Sequence, residues 1–156
     1  MRRSDREVTD FNEIIDIMTR CDVCRLALND EAYPYILPLN FGMELTESMP
    51  VLYFHGALEG RKYELIEKNN IASFEMDCSH RLVMSSEKRS CTMEYESVIG
   101  HGIIEFVPDE EKYDALCSIM RHYHKENFPF NKDVMPATRV FKLNIKSMTA
   151  KKRMTH

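Results

Sequence analysis

Tyr53-Phe-His-Gly-Ala-Leu-Glu-Gly-Arg-Lys62 joins two kinds of pattern through a pair of glycines. Upstream, Val51-Leu-Tyr-Phe-His55 is a short apolar and aromatic run of the kind that forms a strand. Downstream, Tyr63, Leu65 and Ile66 fall on neighbouring helical faces, and Asn69-Asn70 ends the pattern, so the spacing predicts a short helix over 60–68. Glycines let a backbone approach a ligand, and a helix start offers free N–H groups and positive potential. Arg61 and Lys62 add charge at that start, a combination that suits a phosphate. Cations in the first turn oppose the helix dipole unless an anion is bound. The competing reading, a solvated first turn that happens to carry two basic residues, stays open.

Working outward, Asp10 and Glu13 have capping-box spacing, and Phe11, Ile14, Ile15 and Met18 follow at helical intervals, predicting a helix over 10–20. Cys24-Arg-Leu-Ala-Leu28 and Pro34-Tyr-Ile-Leu-Pro-Leu-Asn-Phe41, separated by the polar turn Asn29-Asp30-Glu31, read with 51–55 as antiparallel strands of a meander. Pro38 cannot donate to a ladder, which places its strand at an edge or a bulge. Ile71–Met76 is a further strand, and polar Asp77–Ser90 reads as a long loop, mobile or held by a partner. From Cys91 to Val107 the sequence is β-rich, with a bend expected at Gly100 and Gly102. Behind Pro108, residues 109–124 bring Tyr113, Leu116, Cys117, Met120 and Tyr123 to one helical face. A Phe/Asn/Pro loop leads to a closing strand over 139–145, and the basic end 151–156 is expected to fray.

Six or seven antiparallel strands with about three helices make the fold class mainly β with α, a closed or partly closed barrel in one domain over 1–150. The 156 residues, 44% apolar and 29% charged with 5 Gly and 6 Pro, exclude wholesale disorder and collagen-like repeats. A net charge of −4 argues against a nucleic-acid partner. No stretch approaches the length of a bilayer span and no signal-peptide pattern opens the chain, so the expected location is the cytoplasm. Five cysteines without a secretory signal suit reduced thiols.

Cys21-Asp-Val-Cys24 lies where a helix ends, whereas a thioredoxin-like pair needs its first Cys at a helix start. Zinc would require further ligands such as Cys78, His80 or Cys91, and plain packing of buried thiols is the preferred reading, so no metal is expected. His122 and His124 point apart and suggest no chelate, and His101 between two glycines is uncommitted. His55, at a strand end just before the corner, is either a structural hydrogen-bonding residue or a proton donor to a small substrate.

The strand, the glycine corner and the Gly60-Arg61-Lys62 step resemble the phosphate-binding element of the FMN-binding split-barrel proteins, the pyridoxamine 5'-phosphate oxidase-like group. Residues 1–10, Cys24–Leu28, Pro34–Gly42, Tyr53–Ala57 and Tyr95–Gly100 resemble its Nim branch, the 5-nitroimidazole resistance proteins. The resemblance implies a homodimer of split barrels with FMN at the subunit interface. Arg61 and Lys62 would hold the phosphate beside Gly60. Leu37, Pro38, Leu39, Asn40 and Phe41 would lie along the flavin, and His55 and Gly56 would flank the ribityl chain or ring. Glu96 and Ser97 would join from the same or the partner subunit. Gly60 stands where the oxidases usually carry serine, and their C-terminal substrate-binding segment is lacking, so oxidation of a B6 vitamer is not expected. The implied activity is an oxidoreductase passing electrons from a nicotinamide or other donor to a small acceptor such as a nitroaromatic. The alternatives are a flavin- or haem-binding module without turnover and a zinc-binding interaction protein.

Overall fold

The Asp10 side chain accepts the Glu13 N–H at 2.8 Å and caps the first helix at the residue its spacing predicts. The computed structural model describes residues 3–87, 89–124 and 129–155. In chain order its elements are β1 (Glu7–Val8), α1 (Phe11–Arg20), β2 (Cys24–Leu28), β3 (Tyr35–Leu39), β4 (Gly42–Glu44) and β5 (Val51–Ala57). There follow α2 (Arg61–Lys68), β6 (Ile71–Ser85), β7 (Ser90–Phe106), α3 (Lys112–Tyr123) and β8 (Thr138–Arg153). Eight strands among the described residues, against six or seven expected, form one antiparallel sheet in the order β3-β2-β6-β7-β8-β5-β4, with β1 on β8. Pro38 does lie on an edge strand, β3, where its missing N–H interrupts the sheet least.

The inward side of the curled sheet carries the core. Phe41, Phe54, Phe74 and Phe141 are all fully buried, and burial of one such side chain contributes about 1.5–3 kcal/mol. Phe54 and Phe141, cross-strand partners on β5 and β8, stack with ring centroids 5.3 Å apart. α1 lies against β6 and β7, and α3 against β4 and β5. The α3 contact is close: a Cβ on Gly42 would come within 2.5 Å of the Ile119 nitrogen and 2.6 Å of the Ser118 carbonyl carbon. α2 crosses from β5 to β6 and touches β2, so it bridges two ends of the sheet path and partly closes the barrel.

Two expectations are corrected. Residues 77–90 are not a loop: β6 runs to Ser85, β7 begins at Ser90, and the pair forms one long hairpin with a register shift between Cys78 and Arg81. Ser79 to Leu82 and Met84 are exposed, so this part of the ladder lies largely outside the core and has no burial-driven alternation to betray it. The basic segment 151–153 does not fray either, because Lys151, Lys152 and Arg153 pair with Ser97, Glu96 and Tyr95 as the end of β8. The bend foreseen at Gly100 and Gly102 is present as a register shift between His101 and Gly102. The third helix begins at Lys112 rather than 109, after a turn following Pro108. Part of the expected Phe/Asn/Pro loop, residues 125–128, lies outside the described residues, as do residues 1–2, 88 and 156. No helix among the described residues is long and apolar enough to cross a membrane.

Candidate functional site

β5 delivers the chain to Gly60, whose φ of 147° with ψ of 154° is a conformation that favours glycine. α2 starts at the next residue without a side-chain cap, in contrast to α1. The first turn of α2 therefore offers N–H groups that no capping side chain takes, next to Arg61 and Lys62. Such a start fits an anion, and a phosphate monoester has the charge and acceptor count to use it.

Arg61 is oriented from outside its helix. Its Nε and Nη2 donate to Asp30 Oδ2 at 3.0 and 2.5 Å, and Asp30 belongs to the turn between β2 and β3. The guanidinium has five donors, and two of them face Asp30. The hydrogen bonds from Arg61, with its charge, hold the Asp30 carboxyl below its ordinary range.

Lys62 lies over the Tyr63 ring, its Nζ 4.5 Å from the centroid. A Cβ on Gly56 would meet Lys62 Nζ at 2.9 Å and Tyr63 Oη at 2.8 Å, so glycine there leaves the ammonium its place. Tyr63 Oη donates to the Ala57 carbonyl at 2.7 Å and ties α2 back to β5. A third cation completes the corner: Arg139, the cross-strand partner of Gly56, stacks 4.6 Å from the Tyr63 ring centroid and 3.9 Å from that of Phe106, with Glu67 3.0 Å from its Nη2. Sequence reasoning missed Asp30 and Arg139, because each reaches the corner from a distant part of the chain. A solvent cavity of about 320 Å³ adjoins Arg139, lined also by Leu58, Phe106 and Lys112.

His55 is exposed and pairs with Val140, pointing to the opposite face of β5 from Gly56. Partial desolvation of its ring and, second, the charge of Lys62 hold its pKa below the ordinary histidine value. Along β3, Leu37 and Leu39 turn half-buried side chains onto the core, and Pro38 pairs with Arg25. Asn40 Nδ2 donates to the Asp22 carbonyl at 3.5 Å. The Phe41 ring is fully buried, 4.1 Å from the His122 ring centroid, and its N–H donates to Tyr123 Oη at 3.0 Å, so its side chain is part of the core.

Glu96 and Ser97 stand apart from the corner within one chain. Glu96 is buried and accepts from Arg20 Nη1 at 2.5 Å and Ser79 Oγ at 2.6 Å, an arrangement that lowers its pKa. Ser97 faces outward between Asp77 and Lys151. Among the described residues no three His, Cys, Asp or Glu side chains converge as a metal site. Cys21 caps the end of α1 and Cys24 is buried in β2, so that pair lacks the helix-start setting a redox C-x-x-C needs.

With this geometry in place, the comparisons are specific. Residues 10–152 match the family model described as pyridoxamine 5'-phosphate oxidase. A candidate 5-nitroimidazole antibiotic resistance protein from Bacteroides thetaiotaomicron is 34% identical, with 94% of this chain and 86% of that one covered and a TM-score of 0.81. The flavocytochrome Anf3 from Azotobacter vinelandii shares the fold at 18% identity, with 99% and 72% covered and a TM-score of 0.78. An FAD-binding protein from Mesorhizobium loti does so at 20% identity, with 96% and 98% covered and a TM-score of 0.65. Comparison with curated proteins gives no match. The mainly antiparallel split barrel, the family match over nearly the whole chain and the relative at 34% identity lead to one conclusion: this chain belongs to the pyridoxamine 5'-phosphate oxidase family.

Proposed function

We propose that this chain is an FMN-binding oxidoreductase that passes electrons to a small acceptor, with nitroaromatics as the acceptor class. The observation that carries the reading is the uncapped start of α2 behind Gly60, where Arg61 and Lys62 add charge to free N–H groups. Arg61 and Lys62 would hold the phosphate, and edge strand β3 would offer backbone groups and Asn40 to the ring. Bound there, the flavin supplies the redox chemistry, while the protein binds, orients and excludes water. In its protonated form, which a phosphate beside Lys62 would favour, His55 would serve the acceptor as a proton donor at an imidazole nitrogen. The resistance attribution of the Bacteroides thetaiotaomicron relative supports the acceptor class. Five unpaired thiols suit work in the cytoplasm.

The proposed working form is a homodimer. Ile36, Ile71 and Ile99 are 64%, 56% and 55% exposed on the outward face of the sheet, apolar side chains that a second copy would cover. Ser97 stands on that face, beside a depression of about 270 Å³ lined with Ile99, Thr149 and Lys151. A second copy would cover it and bring Ser97 toward the partner's flavin.

The test is the visible spectrum of protein purified without added ligand, followed by sedimentation and by reoxidation of the reduced sample with a nitroaromatic. Flavin bands, a dimer and acceptor-dependent reoxidation are expected. A colourless monomer that takes up no FMN, or a haem Soret band in place of flavin, would overturn the reading.

A further inference from the structure

Away from the corner, two thiols far apart in sequence share one acceptor. Cys21 Sγ donates to the Ile17 carbonyl at 3.3 Å, and Cys78 Sγ donates to the same oxygen at 3.9 Å. Their surroundings differ. Cys21 is buried at the end of α1, whereas Cys78 on β6 is only partly buried. Arg20 Nη1 and Ser79 Oγ each lie 3.6 Å from the Cys78 sulfur. Arg20 is itself fixed by Glu96 at 2.5 Å and Asp16 at 3.0 Å, so its guanidinium stays beside that sulfur. The guanidinium and the hydroxyl both offer donors to that sulfur, which is also the more accessible of the two. Burial, with Cys78 second, holds the Cys21 thiol well above its ordinary range, which keeps it protonated until it is called on as a partner.

We propose that Cys78 and Cys21 are a peroxide-responsive pair, Cys78 the attacking thiol and Cys21 the resolving thiol, closing a disulfide that ties the end of α1 to β6. The oxidant is a hydroperoxide. The Cys78 thiol gives up its proton as its sulfur attacks one peroxide oxygen, the O–O bond breaks, the departing oxygen takes that proton and leaves as water or alcohol, and the sulfur becomes a sulfenic acid. The Cys21 sulfur gives up its proton and attacks the Cys78 sulfur, an S–S bond forms, the S–O bond breaks, and water leaves. In sum, two thiols are oxidised by two electrons and the peroxide is reduced by two. The asymmetry suits the roles, since the attacking thiol needs access and the resolving thiol needs only its partner. Exposed Cys91 and partly buried Cys117 provide internal comparisons within the same chain.

The experiment exposes the full, reduced protein to stepwise hydrogen peroxide, blocks remaining thiols, and maps the digested peptides by mass. The expected product is a Cys21–Cys78 linked peptide lighter by two hydrogens, reversed by dithiothreitol and formed before oxidation of Cys91. Cys78→Ser should abolish it. In Cys21→Ser and Cys21→Ala, Cys78 should stop at the sulfenic acid and be trapped by dimedone. Two replacements at Cys21 guard against one that fails to fold, and circular dichroism accompanies each. Oxidation of Cys91 or Cys117 with Cys21 and Cys78 left as thiols would overturn the proposal, as would folded Cys21 variants whose Cys78 takes no dimedone.

Discussion

The Asp30 carboxylate grips the Arg61 guanidinium by its Nε edge, through a single oxygen, and so joins the β2–β3 turn to the first residue of α2. The contact spans the opening of the sheet, because β2 and β3 lie at one end of its strand order and β5, which leads into α2, lies toward the other. A side chain this long is costly to immobilise, and Asp30 pre-orients it.

Asp30 should therefore act as a positioning residue for an anion at the α2 start. Asp30→Asn keeps the shape and removes the charge. FMN affinity should fall about tenfold, the scale of one charge-assisted contact, while riboflavin affinity stays unchanged. Fluorescence quenching titrations with both ligands measure this. Tighter FMN binding in the variant would mean that Asp30 competes with the phosphate for Arg61.

His55 should respond to the occupant of the corner. Its pKa is held down by the protein around the ring and by Lys62, so a phosphate beside Lys62 should raise it, as should Lys62→Met. Imidazole NMR signals followed against pH, with and without FMN, report the shift. Because the folded value lies below the unfolded one near 6.5, the contribution of His55 to stability is present above that pH and is lost as pH falls below it. His55→Gln should slow nitroaromatic-dependent reoxidation roughly a hundredfold with flavin content intact. Unchanged reoxidation at full occupancy would assign His55 a structural role.

Gly42→Ala should destabilise the fold through α3. The added methyl would press on the backbone of Ser118 and Ile119, which cannot swing aside as a side chain would. A cost of about 1–3 kcal/mol is expected from overpacking, read as a lower denaturant midpoint at unchanged slope. An unaltered midpoint would show that α3 does not rest on β4 this closely.

Acid should loosen the end of β8 before the rest of the sheet. Glu94 is buried and accepts from Arg81 Nε at 2.7 Å and from the Thr155 N–H at 2.7 Å, and these bonds push its carboxyl down to about 2. A depressed carboxyl stabilises the fold above its ordinary value of 4.5, and that stabilisation is lost as pH drops from there toward 2. Amide exchange at the end of β8 should accelerate across that window in the native chain and be fast already at neutral pH in Glu94→Gln. Equal protection in both would contradict the assignment.

The parts of this architecture visible in the sequence are those with local causes. Asp10 and Glu13 announce α1, Pro38 announces an edge, and the Gly60-Arg61-Lys62 step announces a helix start at odds with its own charge. The long β6–β7 hairpin was hidden because much of its outer length is exposed on both faces, so polarity there follows no period of two. The pairing of residues 151–153 was hidden for a related reason, since a basic run at a chain end looks the same whether solvated or laddered. At the site, Asp30 and Arg139 reach the corner through tertiary contacts, which no spacing rule encodes. Phe41, the last residue of the segment expected along the flavin, turns its ring into the core against His122, a placement set by tertiary packing.

The most direct test of a phosphate-recognising corner is a paired titration of the apoprotein with FMN and with riboflavin, in the native chain and in the Arg61→Ala, Lys62→Ala double variant. The ligands differ only in the phosphate group. The native chain should prefer FMN by about a hundredfold or more, from at least two charge-assisted contacts, and the double variant should bind the two nearly equally. Equal affinity of the native chain for FMN and riboflavin would contradict the assignment of Arg61 and Lys62 to the phosphate.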